Sequence, residues 1–128
     1  MIAHATLAVN DYATAKEFYR KALAPLGYEF TDDHPDWQAG GYKEGGNTSF
    51  WIGQKEKAQG GHVAFEAKNK EAVDAFYKVA LAAGGKDNGA PGYRPDYWPG
   101  YYAAFVHDVD GNNVEAVWYD YSKVEGGK

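Results

Sequence analysis

Apolar positions fall into two kinds of pattern along this chain. Ala15, Phe18, Tyr19, Ala22, Leu23 and Leu26 stand at i, i+3, i+4, i+7, i+8 and i+11, and Val73, Phe76, Tyr77, Ala80 and Leu81 repeat that stripe. Such spacing predicts two helices, each with one apolar face to bury. Asn10, Asp11 and Asn69 are candidate N-caps, and Pro25 and the Gly84-Gly85 pair are the stops. Just before each helix the pattern is that of a strand, whose side chains alternate between two sides. His4, Thr6 and Ala8 share one side and Leu7 and Val9 the other, while His62 and Ala64 lie opposite Phe65. The large apolar members are the natural partners of the helix stripes, so both histidines are expected on the open side.

These two stretches are copies of each other. At an offset of 62 − 4 = 58, His4/His62, Phe18/Phe76, Tyr19/Tyr77, Ala22/Ala80, Leu23/Leu81, Ala24/Ala82 and Gly27/Gly85 match without a gap. A repeat of this kind predicts two equivalent structural units. After the first helix, strands are expected at 28–31, 37–43 and 48–54, with turns at 32–36 and 45–46. Residues 55–60 read as the linker. After the second helix, 86–99 reads as a Gly-, Pro- and Tyr-rich loop, followed by strands at 101–107 and 113–119 around the turn 108–111, and 122–128 as a frayed tail. Setting 46–53 over 111–118 places Glu115 opposite Phe50. A carboxylate between Val114 and Ala116 in an otherwise apolar strand is costly to bury without a partner.

Composition narrows the functional range. The 128 residues make one domain, spanning 1–128 with modules at about 1–54 and 61–121. Four Trp and eleven Tyr exceed what packing alone requires and point to a lined cavity. A net charge of −5 with no basic stripe argues against nucleic acid, and no apolar run reaches membrane-spanning length. With no cysteine, thiolate chemistry and disulfides are excluded. Met1 leads directly into the first strand without a charged and then apolar leader, so a cytoplasmic protein is expected.

The order HATLAV, GGHVAF and AAFVHDVDGNNVEAV closely resembles the vicinal-oxygen-chelate superfamily, which includes glyoxalase I, extradiol dioxygenases, fosfomycin-resistance thiol transferases and bleomycin-binding proteins. The resemblance spans essentially the whole chain. It implies an α+β fold of two tandem βαβββ modules that form a curved, cup-shaped mixed sheet with the helices outside, and a homodimer. It also implies one divalent metal, Zn, Ni, Mn or Fe(II), held by His4, His62 and Glu115. Four-ligand glyoxalases carry a further Glu where Phe50 stands here, so three protein ligands remain, which leaves positions for water or substrate oxygens. Thr6, two residues after the first His, matches a Thr of the fosfomycin-resistance enzymes and is assigned a catalytic role with Glu115. The basic set of those enzymes has no full counterpart, because Lys86 and Arg94 are the only cations between Gly85 and His107.

The aromatic segment 89–102 reads as a lid or rim. Tyr93, Tyr97 and Trp98, with Trp37 and Trp51, are expected to wall an apolar pocket above the metal, and Arg94 to meet a substrate carboxylate. Glu66 shares the parity of His62 but is assigned no role, and His34 and His107, beside turns, are placed outside the site. Two functions follow. One is a metal-dependent enzyme acting on a small vicinal-oxygen substrate, of lyase, isomerase or thiol-transfer type. The other is a metal-free binding protein of the bleomycin-resistance type, in which an aromatic, acidic groove sequesters its ligand.

Overall fold

The computed structural model describes residues 2–57 and 60–124. Strand β1 (Ala5–Val9) leads into helix α1 (Tyr12–Ala22), a short 3-10 turn (Ala24–Leu26), and strands β2 (Glu29–His34), β3 (Ala39–Glu44) and β4 (Asn47–Gln54). The second half repeats this with β5 (His62–Glu66), α2 (Lys70–Ala82), β6 (Lys86–Tyr93), β7 (Tyr101–His107) and β8 (Asn113–Tyr119), then a 3-10 turn (Tyr121–Lys123). Each half is βαβββ, as the repeat predicts. The strand orders are β1-β4-β3-β2 and β5-β8-β7-β6, with β1/β4 and β5/β8 parallel and the rest antiparallel. Among the described residues the strands hydrogen-bond as two four-stranded mixed sheets, one per half.

Strand parity is as expected. Leu7, Val9, Phe50, Ile52 and Phe65 join the core under the helices with Phe18, Tyr19, Val73 and Phe76, and His4, Thr6 and His62 lie on the exposed side. Burying each such apolar side chain contributes about 1.5–3 kcal/mol, which makes this two-sided sorting decisive for register. The halves meet through ring contacts of Phe65 with Phe50 and Tyr28, at centroid distances of 4.9 and 5.2 Å.

A second joint is polar. The turn 108–111 folds around the buried carboxylate of Asp108, which accepts from the backbone N–H groups of Asp110 and Asn112, the Asn112 amide and the Tyr19 hydroxyl. Asn112 Nδ2 also donates to the carbonyl of Ala8, and the N–H of Asn10 to Asp110. Gly111, at φ 86, supplies the left-handed residue this turn requires. The DVDGN motif therefore fastens the second module to the first.

Several local expectations are corrected. The first-half turn lies at 35–38, not 32–36, because β2 continues to His34 by pairing with Ala39, and Trp37 sits in the turn rather than opening a strand. The segment 86–99 is not all loop. Residues 86–93 form an edge strand on β7, where Pro91 is tolerated and register shifts around Gly89 absorb the irregularity. Of the supposed tail, Ser122 and Lys123 belong to a 3-10 turn capped by Asp120, whose side chain accepts from the Ser122 N–H; residues 125–128 lie outside the described residues, as do 58–59 of the linker. Asn69 caps α2 by accepting from the Ala72 N–H, whereas Asp11 stands at the start of α1 without such a bond and accepts from the Thr14 hydroxyl.

Candidate metal and substrate site

The open face of the second sheet carries the odd-numbered residues of β7 and β8, since Tyr102, Ala104, Val106, Val114 and Ala116 fill the helix-side core. Glu115 stands on that open face yet is 2 % exposed. Its two oxygens are divided between partners. Oε1 lies 2.9 Å from Nε2 of His62, at the start of β5, and Oε2 accepts from the hydroxyl of Tyr101, at the start of β7. His62 itself is more than half exposed, so the pair joins a buried charge to an accessible imidazole.

Around this pair stands a run of perpendicular rings. Tyr101 packs edge-on against Tyr97 and Tyr119, and Trp98 against Tyr119 and Tyr121. Burial and the bond to Glu115 push the Tyr101 phenol well above its ordinary range, so it serves as a protonated donor. Tyr101 and its neighbour Tyr119 escape sequence reasoning, although their parity with Glu115 on paired strands was available as a signal.

His4 opens onto a different place. With Thr6, Trp37, Ala39, Thr48, Trp51 and Ile52 it lines a cavity of about 440 Å³ on the first sheet. His34, placed outside the site by the sequence, stacks on Trp37 at 4.5 Å and 20° and lies nearly parallel to Trp51 at 6.0 Å. Its position as the last residue of β2 brings it to the two Trp rings. Among the described residues no group of three or more His, Asp or Glu side chains is gathered at one point. The structure thus brings His62 and Glu115 together and leaves His4 and Thr6 with the Trp pair.

The other candidates divide likewise. Tyr97 and Trp98 belong to the Glu115 side, while the Tyr93 hydroxyl donates to Asp120 and its ring packs on Tyr102. The Arg94 guanidinium, just past the end of β6, donates from Nη1 to the carbonyl of Gly92 and from Nη2 to that of Ala90, and lies over Phe105.

The ladder registers also correct the comparison of the two last strands. Glu115 pairs with Ala64, whose repeat counterpart is Thr6 (64 − 58 = 6), and Thr6 pairs with Trp51. Trp51, not Phe50, therefore occupies the place equivalent to Glu115. Phe50 faces the core, in contact with Tyr19, Tyr42 and Phe65. A one-residue slip moves a side chain to the opposite face, which is why the gapless overlay chose the wrong neighbour. Either way the first module presents no carboxylate at that position.

The model of the Glyoxalase/Bleomycin resistance protein/Dioxygenase superfamily matches residues 1–116. No curated protein sequence matches the chain. Among solved structures, a glyoxalase/bleomycin resistance protein from Albidiferax ferrireducens is similar at 25% identity and TM-score 0.76, over 92% of this chain and 98% of that one. A glyoxalase/bleomycin resistance protein/dioxygenase family enzyme from Burkholderia phytofirmans is similar at 19% identity and TM-score 0.71 (93% and 98% covered). A lactoylglutathione lyase from Agrobacterium tumefaciens is similar at 21% and 0.70 (98% and 96% covered). The last two likenesses speak for the fold.

Proposed function

Because this chain belongs to the glyoxalase/bleomycin resistance protein/dioxygenase superfamily, we propose that it is a divalent-metal-dependent enzyme acting on a small substrate with adjacent oxygens, by a lyase, isomerase or thiol-transfer reaction. The observation that carries this reading is the His62–Glu115 pair. A buried carboxylate and an accessible imidazole nitrogen converge within 2.9 Å on an otherwise open face. The donor types fit Zn, Ni, Mn or Fe(II), and the carboxylate supplies the negative charge that two neutral imidazoles lack. His4, the third donor, comes from a second copy of the chain. It stands just before β1, which is an edge of its own sheet, and a two-fold dimer lets one copy's first module face the other's second module.

When bound, a divalent ion supplies Lewis acidity to the oxygens of the substrate. The chain's own residues supply the rest. Glu115, fixed by Tyr101, holds its carboxyl group on the open face. The Thr6 hydroxyl is placed beside His4 to donate to, or accept from, a substrate oxygen. Trp37 and Trp51 offer flat apolar faces that orient a planar or apolar portion and exclude water, and Tyr97 and Trp98 do the same from the Glu115 side.

The stacked His34, Trp37 and Trp51 rings favour a second reading, a metal-free protein that sequesters a planar ligand. Metal analysis of protein purified without chelator, followed by calorimetric titration with Zn, Mn, Ni and Fe(II), separates the two. One ion per chain supports the enzyme. No binding of any of the four overturns it in favour of the binding protein.

A further inference from the structure

We infer that Tyr101 is the positioning residue of this site, a phenol whose bond to Oε2 fixes the rotation of the Glu115 carboxylate so that Oε1 alone is presented beside His62. The inference rests on the metal reading for one of its two readouts and is independent of it for the other.

The terminal torsion of a glutamate is broad, so a carboxylate without a donor turns freely between its two oxygens. Here the two oxygens are not equivalent. Oε1 is paired with Nε2 of His62, and Oε2 is taken by the hydroxyl of Tyr101. A side chain that is 2 % exposed leaves little room for water to take that hydroxyl's place. Tyr101 is itself held in place. It opens β7 opposite Tyr119, and its ring meets Tyr97 at 5.3 Å and 83° and Tyr119 at 5.6 Å and 84°. Between Tyr101 and Phe105 on the same side of β7 stands Ala103, whose methyl group leaves the phenol a path toward Glu115. In this role Tyr101 is a positioning residue. It acts through Glu115, in the way that outer hydrogen bonds orient ligating carboxylates.

Two variants of the full-length chain test this. Tyr101→Phe removes the hydroxyl and keeps the ring, while Tyr119→Phe removes a hydroxyl from the adjacent ring as a control. With Zn and Mn as probes, calorimetry should show affinity about 10–100-fold weaker in Tyr101→Phe and within about twofold of wild type in Tyr119→Phe, with both melting close to wild type. In metal-free protein the ring-nitrogen NMR shifts of His62 should move in Tyr101→Phe and stay in Tyr119→Phe, because the carboxylate facing His62 has lost its fixed orientation. Should wild type take up no metal, the enzyme reading falls and the His62 shifts alone decide the role of Tyr101. Unchanged His62 shifts in a folded Tyr101→Phe protein, or metal affinity equal to wild type, overturn it.

Discussion

The Tyr19 hydroxyl donates to Oδ2 of Asp108 at 2.5 Å in a buried position, tying the helix of the first module to the turn of the second across 89 residues of chain. Burial and the nearby Asp108 carboxylate push this phenol far above its ordinary value, so the bond is that of a neutral donor to a charged acceptor. Because Asp108 also gathers two backbone N–H groups and the Asn112 amide, it is the hub of the joint.

Asp108→Ala should therefore destabilise the protein by about 3 kcal/mol or more, since it leaves several buried donors unpaired, whereas Tyr19→Phe, which removes one donor from a carboxylate that keeps three, should cost about 1–2 kcal/mol. Urea unfolding of both single variants and the double variant measures this. The double loss should fall short of the sum, because the two groups share one interaction.

The proposed sharing of the site between two copies predicts complementation. His4→Ala and Glu115→Gln homodimers should each bind no metal tightly. Mixed in equal amounts and allowed to exchange, they should recover about a quarter of the wild-type sites, because half of the dimers are hybrids and each hybrid rebuilds one site of two. Calorimetry on the mixture reads the outcome directly. No recovery, with exchange verified, places all donors in one chain.

Stability should fall at both pH extremes for identifiable reasons. Tyr102, buried and bonded to Asp74, is pushed up to about 12, and burial raises Tyr12, Tyr42 and Tyr101 beyond it. A raised folded value contributes stability that is fully present below the unfolded value near 10 and lost as pH rises. The phenolate absorbance of these four tyrosines should therefore appear only together with unfolding, as pH rises above about 10. At the acid end the bond from Tyr12 holds Asp33 below its ordinary value, and bonds from Ser122 and Tyr93 do so for Asp120. Those contributions are present above pH ~4 and lost as pH falls through the lower folded values, so melting temperature should decline below about pH 4.

Gly100 admits no side chain. A Cβ there would come within 1.9 Å of the carbonyl oxygen of Asp120, a backbone atom that itself neighbours the N–H bonded to Gly100. Gly100→Ala should cost about 3 kcal/mol or more, and by shifting the start of β7 it should also weaken metal binding through Tyr101. Thermal melting and calorimetry together distinguish the two effects.

What the sequence made legible follows from what each interaction depends on. The helices, the βαβββ order and the inward or outward sense of Leu7, Phe65, His4 and His62 follow from local periodicity, and periodicity is a property of the chain alone. The pairing of the last strands was misread by one residue because the overlay of 46–53 on 111–118 ignores the irregular pairing near Tyr42 and Lys43, which only the ladder reveals. The strand at 86–93 was hidden by Gly89, Pro91 and Gly92, which disfavour strands in general but are admissible at an edge. His34 and Tyr101 depended on tertiary neighbours: one stacks on a Trp three residues away through a turn, and the other reaches a carboxylate on the adjacent strand. The DVDGN motif was readable as a signature, yet its role in joining the halves required knowing that Ala8, Asn10 and Tyr19 come to meet it.

That joint also sets an order of events during synthesis. Ala8, Asn10 and Tyr19 emerge from the ribosome first, and their partners Asn112, Asp110 and Asp108 follow 89 to 104 residues later. At about 5–20 residues per second, the Tyr19 hydroxyl waits roughly 5 to 20 s for its acceptor. Through that interval the first module can form its own sheet and helix, but Phe50 lacks Phe65 and Tyr19 lacks Asp108, so the module remains open on the side that the second half will cover. Completion of the fold is a late, long-range closure, and the nascent first half is the stage at which pairing with a neighbouring chain competes most directly with the native partner.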